Sequence, residues 1–121
     1  MTKKTDIFVA IDTQSKENAK KLIGQLNNKY CGIKIGKELF TSCGPEIVQW
    51  VKSEGFEVFL DLKFHDIPNT VIKACEAASK MNVDIINVHS LGGKEMMSAA
   101  KNAISNQQIK LIGVTLLTSH D

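Results

Sequence analysis

The chain has 121 residues, 43% hydrophobic and 23% charged, the profile of a soluble globular unit with enough apolar side chains for a core. Its 15 Lys+Arg against 13 Asp+Glu leave a net charge of +2, and aromatics make up 6%, which argues against a nucleic-acid partner. The longest apolar runs, such as Ile7 to Ile11, fall far below the roughly 20 residues of a membrane helix, and Asp12 interrupts any signal-peptide core, so no membrane partner is expected.

Short β-type runs alternate with helical patterns along the whole chain. Residues 7–12 read as a first buried strand, and 15–26 as a helix with Ser15 as its N-cap and Ala19, Leu22, Ile23 and Leu26 on one face. A second strand is predicted over 31–36, followed by a helix over 46–53 entered through Gly44-Pro45. The third strand covers 58–63, and Pro68 opens a helix to about Met81 with Val71, Ile72, Cys75 and Ala78 on one face. Residues 83–90 form a fourth strand, Gly92-Gly93 leads into a helix over 94–104, and 110–117 form a fifth strand.

Near-continuously apolar strands alternating with helices imply parallel strands covered by helices. The repeat of about 25 residues suits a (β/α)8 barrel of roughly 200 to 250 residues. A doubly wound sheet is the competing arrangement, but Asp12-Thr13-Gln14-Ser15 stands where its glycine-rich phosphate turn would be. The expected fold is therefore α/β of the TIM-barrel class, a single partial barrel domain over 1–121 with the first five strands and four helices.

Charged residues gather at the strand ends. Asp12 ends the first strand, Lys34 lies late in the second, Asp61 and Lys63 end the third, and Asp66 follows on the loop. Alternation along a strand would turn Phe59, Asp61 and Lys63 to one side, which in a barrel is the interior at the catalytic rim. A salt-bridge lattice plugging the barrel mouth is the bland alternative, although apolar side chains would serve stability better there. A lysine among carboxylates stays protonated, and so suits proton delivery to a carbanion rather than Schiff-base formation.

The segment Asp61-Leu62-Lys63-Phe64-His65-Asp66-Ile67-Pro68-Asn69-Thr70 resembles the D-x-K-x-x-D-I-P-x-T signature of the orotidine 5′-phosphate decarboxylase family. Val9-Ala10-Ile11-Asp12, Ile33-Lys34-Ile35-Gly36-Lys37-Glu38-Leu39-Phe40, Gly44-Pro45, Asn87-Val88-His89 with Gly92-Gly93, and Val114-Thr115-Leu116-Leu117-Thr118-Ser119 extend the resemblance over essentially the whole chain. It implies decarboxylation of orotidine 5′-monophosphate to uridine 5′-monophosphate, the last step of de novo pyrimidine nucleotide synthesis, without metal or organic cofactor. By the same resemblance Lys63 protonates C6 of the ring, Asp61 lies near the substrate carboxylate, and Asp12 and Lys34 hold the ribose hydroxyls and extend the charged network. Asp66, Ile67 and Thr70 would reach into a neighbouring subunit, implying a homodimer with shared sites, and Thr118 would contact the pyrimidine.

The five predicted strands make little more than half of an eight-fold barrel, and such barrels usually grip phosphate after strands seven and eight. The expectation is that this chain alone binds substrate poorly and turns over slowly or not at all. Two other readings remain open: a Mg²⁺-dependent sugar-phosphate decarboxylase or aldolase of the same superfamily, and a non-catalytic fragment acting only as an assembly partner. Cys31, Cys43 and Cys75 form no C-x-x-C and His65, His89 and His120 no ligand spacing, so no metal site or disulfide scaffold is expected, and a cytoplasmic location is the default. His65 and His89 read as hydrogen-bonded structural residues, Gly92-Gly93 as a tight turn, and Met96-Met97 as packing.

Overall fold

A computed structural model describes residues 7–104 and 108–115. Its elements in chain order are β1 (Phe8–Ala10), α1 (Lys16–Gly24), β2 (Gly32–Gly36), α2 (Lys37–Cys43), α3 (Pro45–Ser53), β3 (Val58–Phe64), α4 (Pro68–Ser79), β4 (Ile85–His89), a 3₁₀ turn (Ser90–Gly92), α5 (Gly93–Ala103) and β5 (Lys110–Val114). The sheet runs in chain order, β1-β2-β3-β4-β5. The chain divides into two compact units, residues 1–61 and 62–121, with the boundary inside β3.

In the first unit β1, β2 and β3 pair in parallel, with Ala10 opposite Lys34, Lys34 opposite Phe59, and Gly36 opposite Asp61. Ile33, Ile35, Val58 and Leu60 are buried, while Lys34, Gly36 and Phe59 between them are half-buried. That period of two separates a packed face from the face bearing the charged residues. Phe8 and Phe59 meet edge to face with ring centres 5.9 Å apart. Among the helices, α1 starts as the sequence predicts: Ser15 caps it by accepting the Asn18 N–H at 3.2 Å. Its buried stripe is Ala19 and Ile23, whereas Leu22, expected on the same face, is 46% exposed.

The sequence reading missed α2, which makes five α-helices among the described residues where four were expected. The chain passes from β2 into α2 with no linker, and Leu39 is its one buried residue, so no long apolar period marks it. Gly44, at φ 69°, then separates α2 from α3, a left-handed joint that suits glycine. The helix expected from Glu46 begins one residue earlier, at Pro45, whose missing N–H costs nothing in a first turn.

In the second unit β4 pairs in parallel with β5, from Ile85 opposite Lys110 to His89 opposite Val114. Ile86, Asn87, Val88 and His89 are all buried, as befits a strand covered on both faces. Helix α4 buries Val71, Cys75 and Ala78 and packs on α5, which buries Met96 and Ala100. A Cβ at Gly92 would collide with the Met96 thioether, and Gly93 has φ 92°; both fit the tight-turn reading of this glycine pair. The predicted first, second, fourth and fifth strands shorten by one or more residues at their ends, and positions 116–117 lie outside the described residues.

Candidate active site

In the first unit β2 and β3 bring two of the predicted residues together. Lys34 Nζ stands 3.4 Å from Asp61 Oδ2, and the side chains are 35% and 9% exposed. Register explains the meeting: Asp61 lies opposite Gly36, two residues beyond Lys34, and a lysine stem spans that offset over a residue without a side chain. A carboxylate that buried needs a counter-charge, and Lys34 supplies it from the neighbouring strand. Asp12 is not the end of β1; the strand stops at Ala10, Ile11 N–H still donates to Lys34 O at 3.2 Å, and Asp12 stands exposed on the following loop.

In the second unit Lys63 is half-buried, and its backbone is left-handed, with φ 51°. The strict alternation expected to set Asp61 and Lys63 on one side is therefore interrupted at Lys63 itself. Its N–H donates to Asn87 Oδ1 at 2.9 Å. The sequence signal for Asn87, which the motif-based site set leaves out, is an amide inside the apolar run Ile85-Ile86-Asn87-Val88.

Beyond β3, Asp66 Oδ1 accepts the Ile67 N–H at 2.7 Å, which fixes the carboxyl on the turn into α4. Asp66, Ile67 and Thr70 are all exposed, Ile67 to 66%. A cleft of about 450 Å³ opens here, lined by His65, Asp66, Ile67, Pro68, Leu91 and Gly92. The His65 and His89 rings stack with centres 5.2 Å apart, and His89 Nδ1 accepts the Leu91 N–H at 3.2 Å. His89 thus has a structural task at the end of β4, as expected. Thr118 lies outside the described residues. Among the described residues no three carboxylate, histidine or cysteine side chains cluster as metal ligands would, and no helix is long and apolar enough to cross a membrane.

A parallel α/β fold with charged residues at and beyond the C-terminal ends of β2 and β3 defines a protein of the (β/α)8 barrel class. The family described as Orotidine 5′-phosphate decarboxylase / HUMPS matches residues 5–121, and the chain belongs to it. Orotidine 5′-phosphate decarboxylase of Saccharophagus degradans is 53% identical over 115 residues, which cover 93% of this chain and 48% of the relative. The enzyme of that name from Idiomarina loihiensis is 55% identical, over 93% of this chain and 50% of its own length. Among solved structures, an uncharacterized conserved protein from Geobacillus kaustophilus superposes with a TM-score of 0.89 at 38% identity, covering 95% of this chain and 56% of that one. Orotidine 5′-phosphate decarboxylase from Lactobacillus acidophilus gives 0.86 at 35% identity, over 93% and 54%. The chain thus spans about half the length of the curated relatives it matches.

Proposed function

We propose that this chain supplies the decarboxylating half of an orotidine 5′-monophosphate decarboxylase. The observation that carries the reading is the Lys34–Asp61 pair at 3.4 Å: a buried carboxylate held by an ammonium group, two residues before a second lysine on the same strand. A buried pair adds little net stability, so its presence at a strand end fits a chemical use. In the proposed reaction the bond from C6 to the substrate carboxylate breaks, the electron pair stays on C6, and carbon dioxide leaves. Lys63 delivers a proton to C6, giving uridine 5′-monophosphate, and water later reprotonates the amine. Preorganised ammonium charge stabilises the carbanion as it develops, with no metal or organic cofactor called for.

Asp61 lies near the substrate carboxylate, Asp12 and Lys34 hold the ribose hydroxyls, and Thr118 contacts the pyrimidine. Asp66, Ile67 and Thr70 complete the site of a second copy in a homodimer; their joint exposure, with an isoleucine beside a carboxylate, supports that assignment. Phosphate contacts are assigned to the part of the longer relatives that this chain does not span. The names of the curated relatives favour decarboxylation over Mg²⁺-dependent sugar-phosphate chemistry. A cytoplasmic setting suits the three free cysteines.

The test is loss of orotidine 5′-monophosphate absorbance by the chain mixed with the remaining half of the Saccharophagus degradans relative. Turnover should appear, and Lys63→Ala should lower it about a thousandfold, in line with removal of a preorganised charge donor. Equal turnover in both proteins, or none in a mixture of folded halves, would sink the reading. The chain without its complement is expected to be weakly active or inactive.

A further inference from the structure

The peptide of Lys63 leaves strand geometry, and what receives its N–H is a side chain. At φ 51° this lysine occupies a region that L residues adopt only where their surroundings impose it. The acceptor, Asn87 Oδ1 at 2.9 Å, belongs to a residue 2% exposed between Ile86 and Val88, both within 1% of complete burial. Every reason of packing would put another aliphatic side chain there, because an amide in an apolar strand is costly unless it is bonded. What Asn offers β4 and Val or Leu does not includes a side-chain carbonyl oxygen that reaches the main-chain N–H of Lys63.

We infer that Asn87 is a positioning residue for Lys63: its side-chain oxygen holds the Lys63 backbone at positive φ within β3 and so sets the direction in which the ammonium group leaves the strand. A single residue at positive φ swings the Cα–Cβ bond away from where the pleat would send it. A lysine has a long, flexible stem, so the orientation of its root limits where the amine can reach. A proton donor must come within about 3 Å of the atom it serves, and small misplacements there are expensive in rate. The geometric part of this inference stands on the hydrogen bond and the dihedral angle; its catalytic meaning rests on the reading of Lys63 as the proton donor.

The experiment labels the lysines of the full chain by reductive ¹³C-methylation and follows Lys63, assigned by loss of its resonance in Lys63→Arg, together with exchange of its backbone amide. Asn87→Leu keeps the volume and removes the acceptor; Asn87→Asp keeps an acceptor at the same reach. The expected result is a displaced Lys63 resonance and at least tenfold faster amide exchange in Asn87→Leu, both reversed in Asn87→Asp. In the active mixture of halves, Asn87→Leu should lower kcat about tenfold or more with KM little changed. Should Asn87→Leu fail to fold, Asn87→Ala carries the same comparison. A folded acceptor-less variant with Lys63 signals like those of the unsubstituted chain overturns the inference, as does an Asn87→Asp that restores neither. An unprotected Lys63 amide in the unsubstituted chain overturns it outright. Turnover that survives Lys63→Ala would instead remove the functional reading, and leave the resonance measurements to decide the positioning alone.

Discussion

A carboxylate as buried as Asp61 makes its partner matter more than the pair does. Removing Lys34 takes away the counter-charge 3.4 Å from Asp61, so Lys34→Met should cost about 1–3 kcal/mol in urea unfolding, less than a fully buried pair because the lysine side chain is 35% exposed. The double replacement Lys34→Met with Asp61→Leu should recover most of that loss, since apolar side chains of similar size pack without a desolvation penalty. If both charges are there for chemistry, the recovered protein will be inactive in the mixed-half assay. A double variant that stays active would return the pair to a plug at the strand ends. Cys75 behaves differently. Burial, with the adjacent Glu76 carboxylate adding to it, pushes this thiol from an ordinary 9.0 up to about 11. The unfolded chain therefore loses the proton first, and the stability this group contributes is complete below pH 9, declines between 9 and about 11, and is level beyond. Cys75→Ala should flatten that part of the curve of unfolding free energy against pH, and a curve with unchanged slope would contradict the assignment.

The elements show how local chemistry fixes the frame of the site. Ser15 satisfies an orphan N–H at the start of α1, and Ser15→Ala should lower the unfolding free energy by about 1 kcal/mol, whereas Ser15→Gly should cost only a few tenths. That cap was legible because a hydroxyl preceded a clear apolar period. Helix α2 was not legible: seven residues with one buried side chain carry too little periodicity, and only its packing against α1, α3 and β2 makes it pay. Yet α2 matters for the loop that carries Asp12, since Ser42 Oγ donates to Gln14 O at 2.6 Å. Strand β3 runs from Val58 to Phe64, and the strict alternation expected along it fails at Lys63. Burial alternates from Val58 to Leu60, Asp61 is buried next to Leu60, and at Lys63 the backbone turns to positive φ and a side chain on β4 accepts the N–H.

At the scale of the whole molecule, the turn into α4 is exposed. Ile67 at 66% and Leu91 at 62% flank the cleft beside Asp66, an apolar exposure that a second copy would relieve. Sedimentation should give the mass of a dimer for the chain and a monomer for Ile67→Lys; an unchanged mass in the variant would count against this surface. Sharing of sites has its own signature. Chains bearing Asp66→Ala and Lys63→Ala, each inactive with the complementary half, should regain turnover when mixed, because one site of the mixed dimer is then intact. No recovery would mean that each site is built from one copy.

Much of this protein is determined by the sequence alone. The alternation of apolar strands with helices, the cap at Ser15, the prolines opening α3 and α4, and the motif from Asp61 to Thr70 follow from short-range periodicity and residue chemistry, which the chain displays directly. Tertiary structure decided what depends on partners far along the chain. The pairing of Lys34 with Asp61 follows from strand register, and the left-handed peptide of Lys63 is held by an amide 24 residues away. Helix α2 exists because neighbours bury Leu39. Hydrophobic period is a local signal, but hydrogen-bond satisfaction and charge neutralisation are settled between segments, and they are what aim the side chains of the site.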